Sequence, residues 1–166
     1  MINKYFHWLL RAHTLSIALV LHGCSYHYQP IDWEHPPTPH SDNYYFICAS
    51  KTCGPNAEEA QSYPISPENL YQIIQTVILK QPRVEMVENN PKKKTLVFVQ
   101  RTPRLRFPDI IQMQIISTPS GQASYLWYSK AVYGYYDFDV NKDRLQLWAK
   151  LVDHAVDKHI REKTKN

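Results

Sequence analysis

The sequence predicts an α+β domain, an antiparallel sheet of about four to five strands with two helices packed on one face. Two stretches, near 66–81 and 141–160, repeat apolar residues at spacings of three and four, as core-facing helices do. Between them lie four stretches of strand length: 84–88, 95–101, 110–117 and 123–129. Short connections join these stretches, and short connections favour antiparallel neighbours.

The first helix has clear start and stop signals. Ser66 is placed to cap it, and Pro67 occupies the first helical position, where a missing backbone N–H has no cost. Pro82 ends the apolar repeat. We therefore expect one helix between Ser66 and Pro82, with a single face towards the core.

The last strand and the second helix both carry apolar residues suited to a core. In the strand, Tyr125 and Trp127 face opposite to Leu126 and Tyr128, so both sides of the sheet are predicted to be covered. The second helix is expected to start near Asn141. Its predicted inner stripe contains Leu145, Trp148, Leu151, Val152, Ala155, Val156 and Ile160.

Composition excludes several function classes. The chain has 166 residues and only four scattered glycines, too few for a phosphate loop or a dinucleotide fingerprint. Neither a GxSxG nor an HExxH motif is present. We predict no cofactor and no metal, and we assign no catalytic residue.

The N-terminal segment predicts export. Lys4 and Arg11 precede about seven apolar residues at 15–21, which fits a secretory signal but is too short to span a bilayer. Gly23-Cys24 then resembles a bacterial lipobox, so residues 1–23 are predicted as a lipoprotein signal peptide and Cys24 as the lipidation site. An ordinary cleaved signal and an uncleaved anchor remain open alternatives.

The predicted location is the cell envelope, with the protein lipid-anchored and facing the periplasm. In a Gram-negative cell, Ser25 after the cysteine favours the outer membrane. Loss of residues 1–23 removes two basic side chains and lowers the formal net charge from +4 to +2. Such a small charge predicts no nucleic-acid partner. The basic run at 92–94 is interpreted as a solvated hairpin turn, with contact to anionic lipid headgroups as the alternative.

Residues 24–65 are predicted to be a proline-rich tether, and residues 66–162 the α+β domain. The tether contains Cys48 and Cys53, which can form a disulfide in an oxidising compartment. The alternative is a metal site, for which the nearby donors would be His35, His40 and Asp42. Their spacing does not match that of a structural zinc site.

Two short strings put polar residues inside otherwise apolar stretches. The first runs from Arg104 to Asp109 and the second from Tyr128 to Arg144. Together they resemble the bacterial and plastid family known as domain of unknown function 1499, and the chain is similar to it over roughly 48–156. The residues that match the family pattern are Phe107, Asp109, Ser129, Gly134, Tyr135, Asp137, Asn141 and Arg144.

The chain departs from this family pattern at several positions. Lys130 and Ala131 stand where members usually have Arg and a small hydroxyl residue, and Asp139 replaces a usual Gly. The Cys48 to Cys53 segment only approximates the family's proline-rich Cys-to-Cys segment. The resemblance implies the fold, but it implies no activity, since the family has none assigned.

The matching polar residues allow three interpretations. In the structural one, Asn141 caps the last helix, Arg144 pairs with Asp137 or Asp109, and Gly134 provides either a bulge or a positive φ. In the second, a polar ligand binds where these side chains converge. The candidate ligand-binding residues are Asp109, Ser129, Asp137, Asn141 and Arg144. In the third, Asp109 and Asp137 act as the acid and base of an envelope hydrolase.

We therefore expect a lipid-anchored envelope protein whose domain binds an envelope protein or ligand, rather than an enzyme. The hydrolase is the alternative, and a purely structural scaffold is a third possibility. Tyr and Trp side chains near 125–136 could also contact sugars or the lipid interface, although such residues more often fill a core.

Overall fold

The computed structural model describes four stretches of the chain, residues 27–38, 41–49, 53–54 and 57–165. The predicted signal peptide at 1–23 and the predicted lipidation site Cys24 lie outside the described residues. Within the described stretches, none of the helices combines the length and the apolar character needed to cross a bilayer.

The described chain forms one sheet and two helices, so the α+β class is confirmed. The elements in chain order are β1 (Tyr44–Cys48), β2 (Glu58–Glu59), α1 (Pro67–Ile78), β3 (Val84–Asn90), β4 (Thr95–Arg101), β5 (Pro108–Ser117), β6 (Ala123–Ala131) and α2 (Val140–Thr164). The spatial order of the strands is β2-β1-β6-β5-β4-β3.

The sheet differs from the prediction in strand number and in direction. It has six strands rather than four to five, and β1 and β2 run parallel while all other neighbours are antiparallel. Both added strands come from the stretch 24–65 that was predicted as a tether. β1 reads Tyr-Tyr-Phe-Ile-Cys, a composition that favours strands, but prolines on both sides of it concealed the signal.

The first helix confirms the sequence signals. Ser66 is the N-cap residue of α1, and its Oγ accepts a hydrogen bond from the backbone N of Asn69 at 3.2 Å. Pro67 is the first helical residue. The side chains that α1 buries are Leu70, Tyr71, Ile74 and Ile78.

Both helices pack on the same face of the sheet and share one core. The second helix contributes Leu145, Trp148, Val152 and Val156, all of which are fully or almost fully buried. The sheet contributes Trp127, whose ring lies 6.4 Å from that of Trp148. Tyr125 and Trp127 face this core, whereas Leu126 and Tyr128 face the other side, as the strand alternation predicted.

The opposite face of the sheet is covered by residues 27–33, which contribute Tyr28, Ile31 and Trp33 to its packing. The buried side chain of Gln112 holds this segment, because its Oε1 accepts from the backbone N of Ile31 at 3.0 Å and its Nε2 donates to the carbonyl of Gln29 at 2.9 Å. Tyr28 extends across the same face, and its hydroxyl donates to Glu88 at 2.6 Å. Residues 27–33 are thus bound to the domain.

Cys48 and Cys53 are joined by a disulfide, so neither thiol is available to a metal. Both cysteines pack with Phe46, Leu126 and Tyr128 in the small core on the side opposite the helices. The bond holds Cys53 against the sheet.

Loss of this disulfide should destabilise the domain. Replacing Cys48 and Cys53 together by Ala is expected to lower the free energy of unfolding by roughly 2 kcal/mol, because the bond closes a short ring that restricts the unfolded chain. Urea denaturation without reductant measures this. Wild-type protein in reductant serves as the control and should approach the stability of the variant. Free thiols at both positions in the unfolded wild-type protein would contradict the assignment.

Candidate functional site

The five candidate ligand-binding residues lie together where β5 begins, β6 ends and α2 makes its first turn. Four of them are buried, and Asp137 is partly buried. We call Asp109, Ser129, Asp137, Asn141 and Arg144 the polar cluster. The structure therefore brings the candidate residues together, and their contacts define what they can do.

Arg144 connects three strands to the helix. Its Nη2 donates to Oδ2 of Asp109 on β5, and its Nε donates to Oε1 of Gln100 on β4. Its Nη1 donates to Ser129 Oγ on β6 at 2.9 Å and to Asn141 Oδ1 at 2.6 Å. Four of the five N–H groups of the guanidinium thus meet acceptors inside the cluster.

Asn141 uses all four hydrogen bonds that its side-chain amide can form. Its Oδ1 accepts from Ser129 Oγ at 2.5 Å and from Arg144. Its Nδ2 donates to the carbonyl of Asn43 at 3.0 Å and to Asp137 Oδ2 at 2.5 Å. No hydrogen-bonding capacity of this side chain is left over for a ligand.

The predicted N-cap role of Asn141 is wrong. Asn141 is the second residue of α2 and faces inward, and the residue at the cap position is Asp139, which makes no side-chain capping bond. The capping acceptor comes from Asp137, whose Oδ2 takes the backbone N–H of Asn141 at 2.8 Å. A carboxylate there also interacts favourably with the positive end of the helix dipole.

Two members of the network were missed by the sequence reasoning. Asn43 precedes β1, and besides accepting from Asn141 it donates from Nδ2 to the carbonyl of Gly134 at 2.5 Å. Gln100 lies near the end of β4 and accepts from Arg144. Gln100 stands near the polar end of a buried-strand pattern and Asn43 directly before one, but only the tertiary fold brings Gln100 to Arg144 and Asn43 to Asn141.

Backbone geometry explains two positions of the family pattern. Gly134 has φ +92°, confirming the predicted positive φ. Asp139 has φ +62°, also left-handed. The family's usual glycine suits this geometry, and Asp is among the few side chains that tolerate it. The preceding residue, Phe138, is left-handed as well, with φ +56°.

Burial dominates the electrostatics of the cluster. Burial raises the pKa of Asp109, the neighbouring Arg144 guanidinium opposes that rise, and the negative charge of Asp137 adds to it. The Arg144 and Asp109 side chains are each only 6% exposed. A buried ion pair of this kind is stable only when further hydrogen bonds satisfy the remaining polar atoms, as the partners of Arg144 do here.

These contacts leave little capacity for acid–base or nucleophilic chemistry. Asp109 is ion-paired with Arg144, and Asp137 is bound by the backbone and side chain of Asn141. Ser129 contacts an amide and a guanidinium, neither of which can remove its proton. The geometry therefore favours the structural interpretation of the cluster.

A cleft of about 610 Å³ adjoins the cluster on the side of β1. We call it the β1 cleft. Cys53 and Gly54 form part of the wall of this cleft. The aromatic and charged residues of its lining are Asp42, Tyr44, Tyr45, Phe46, Tyr136, Asp137, Asp139 and Lys142.

Apolar side chains are exposed on the two loops at this end of the sheet. The rings of Phe107 and Tyr133 are in contact at 5.7 Å, and those of Tyr136 and Phe138 at 5.0 Å. Leu105, Tyr135 and Phe138 are each at least 70% exposed. A concentration of exposed apolar side chains like this is typical of a contact surface.

One group of possible metal donors occurs in the described part of the chain. Asp32, Glu34 and His35 offer donor atoms within 4.8 Å of one another, and all three residues are exposed. His35 is hydrogen-bonded to Asp32 at 3.1 Å. Of the donors suggested from the sequence, His40 lies outside the described residues, and Asp42 lines the β1 cleft.

Comparison with known proteins identifies a family match. The family model described as "Protein of unknown function (DUF1499)" matches residues 32–151, a range that contains the entire polar cluster. Among solved structures, that of Ara h 8.0201 is similar with a TM-score of 0.43 and 10% identity, over 63% of this chain and 95% of that chain. No curated protein matches the chain.

Breaking the central ion pair should strongly destabilise the fold. Arg144→Met leaves the Asp109 carboxylate buried without its partner, which is expected to lower the free energy of unfolding by about 3–5 kcal/mol at pH 7. Without the guanidinium, the pKa of Asp109 rises further above its unfolded value. The folded variant then binds a proton more readily than the unfolded chain, so the loss should shrink as the pH falls from 7 towards 5.

Urea denaturation at both pH values tests this expectation. Lys158→Met is the matched control, because it removes the exposed pair with Glu162 and should leave stability nearly unchanged. A loss from Arg144→Met as small as that of the control, or one that grows as the pH falls, would contradict a central role for this pair.

Proposed function

The chain belongs to the DUF1499 family, which carries no assigned activity, and we propose from its own geometry that it is a non-enzymatic binding domain of the cell envelope. In this proposal, lipid on Cys24 holds the domain at a membrane, on the periplasmic side and in the outer membrane of a Gram-negative cell. The domain binds an envelope ligand in the β1 cleft.

The polar cluster supports binding rather than catalysis. Its carboxylates and its serine are engaged by one another or by Arg144 and Asn141, so none stands as a free acid, base or nucleophile. The cluster instead fixes the start of α2 and the carbonyl of Gly134. Its effect is to hold the loop that forms one wall of the β1 cleft.

The lining of the β1 cleft indicates the class of ligand. Tyrosine rings offer flat apolar faces that can pack against the C–H faces of a sugar. Exposed carboxylates at Asp42 and Asp139 can accept hydrogen bonds from hydroxyl groups. This combination, the observation that carries the proposal, suits a polyhydroxylated ligand such as an envelope glycan.

The β1 cleft can be tested with a matched pair of neighbouring tyrosines. Tyr136 lines the cleft, whereas Tyr135 does not line it and is 70% exposed. Tyr136→Ala is expected to weaken binding of soluble β-1,4-linked N-acetylhexosamine oligosaccharides about 3- to 10-fold, the value of one aromatic contact. Tyr135→Ala should leave it unchanged, and titration calorimetry gives both affinities. Equal losses in the two variants, or no binding by the wild type, would refute the cleft assignment.

The lipid anchor is tested separately at Cys24. Cys24→Ser removes the thiol that accepts the lipid, so incorporation of labelled fatty acid should be lost and the protein should leave the membrane fraction. Two or three acyl chains anchor stably, at about 0.8 kcal/mol per buried methylene. Ser25→Ala is the control and should retain the label. Undiminished labelling of Cys24→Ser would exclude a lipoprotein.

A further inference from the structure

At the β4–β5 end of the sheet, four arginines surround exposed apolar side chains. The Arg83 guanidinium donates to the carbonyl of Arg101 at 2.9 Å, and that of Arg101 donates to the carbonyl of Arg106 at 3.2 Å. These bonds hold the three residues next to one another, and Arg104 is exposed on the same loop. Leu105 is 70% exposed there.

Two aromatic rings complete this surface. Phe107 and Tyr133 contact each other while remaining 47% and 53% exposed. We call the surface formed by these two residues, Leu105 and the four arginines the arginine tip. The segment 101–108 contains three of the four arginines and no Asp or Glu.

The described chain starts close to this tip. His27 lines a cleft of about 440 Å³ together with Ile110, Lys130 and Val132. Val132 directly precedes Tyr133, and the backbone N of Val132 donates to the carbonyl of Pro108, which directly follows Phe107. His27 therefore lies beside the strand ends from which the tip projects.

The predicted lipid attachment point is only three residues before His27. Three residues of extended chain span at most about 11 Å. Because Gln112 binds residues 29–31 to the sheet, only a few residues separate this bound segment from Cys24. Acyl chains on Cys24 would keep the β4–β5 end of the sheet near the lipid headgroups.

We propose that the arginine tip docks on the surface of an anionic phospholipid bilayer and so fixes the orientation of the anchored domain. This inference rests on the proposed lipid anchor at Cys24. The arginines meet the phosphate groups of the headgroups, and the rings of Phe107 and Tyr133 lie at the interface, where aromatic side chains are favoured.

The other basic segment of the chain provides a built-in comparison. The turn at 92–94 lies at the opposite end of β4, and a seven-residue strand is about 23 Å long. When the tip lies on a bilayer, the turn points away from it. A probe at each end of β4 therefore reports which of the two basic surfaces contacts lipid.

The experiment uses the mature lipidated protein in vesicles of phosphatidylglycerol and phosphatidylethanolamine, with a fluorophore attached at Leu105→Cys or at Lys93→Cys. The native disulfide and the lipidated Cys24 leave the introduced cysteine as the reactive thiol. Nitroxide-labelled lipids should quench the probe at position 105 and leave the probe at position 93 unquenched. Quenching at position 93 instead, or at neither position, overturns the proposal.

Charge variants test the role of the arginines. Arg104→Gln with Arg106→Gln should shift the equilibrium away from the docked orientation about 25-fold, at about five-fold per arginine, and quenching at position 105 should fall. The matched control is Lys92→Gln with Lys94→Gln, which should leave the quenching at position 105 unchanged. If the probe at position 105 were quenched as strongly in vesicles of phosphatidylcholine alone as in the anionic vesicles, attraction between the arginines and anionic lipid would be ruled out as the cause of docking.

Mass spectrometry of Cys24 separates this inference from the proposed anchor. If Cys24 carries acyl chains but the probe at position 105 is not quenched, the docking inference fails and the anchor stands. If Cys24 carries no acyl chain, both fail.

Discussion

The fold depends on burying one guanidinium. A charge removed from water is stable only when it is paired and its remaining polar atoms are satisfied, so the Arg144 side chain constrains every element around it. Asp109 on β5, Ser129 on β6 and Gln100 on β4 each supply an acceptor. Three strands and the first turns of α2 must therefore keep one relative position. The helix cannot shift along the sheet without leaving a buried charge unpaired.

The same buried hydrogen bonds also determine which side chains the loop before α2 exposes. Because Asn141 is bound by Asp137 and by the carbonyl of Asn43, the chain before α2 is held at both ends of the loop near 134–139. Apolar side chains gain no free energy from being held in one position in water. The positions of the exposed apolar side chains on this loop therefore depend on these buried hydrogen bonds. A rigid loop of this kind can serve a binding surface because little conformational entropy remains to be lost on association.

Local signals in the sequence predicted the fold well where they were strong. Ser66 and Pro67 marked the start of α1, and alternation in β6 identified which residues face each side of the sheet. β1 was missed because it is short and flanked by prolines, and its strand becomes stable only by pairing with β6, far away in sequence. The polar cluster was likewise predicted only in part. Its members could be selected as polar residues in apolar stretches, but Asn43 and Gln100 join them only through the tertiary fold.

Charge is separated across the end of the sheet that carries both proposed surfaces. The arginine tip lies on the β3 to β5 side, whereas Asp42, Asp137 and Asp139 line the β1 cleft. Three strand spacings, about 14 Å, separate β1 from β4. An anionic surface attracts the first side and repels the second, so a domain docked through its arginines is tilted. In the docked orientation proposed above, that tilt would raise the β1 cleft away from the lipid and leave it open to the proposed ligand.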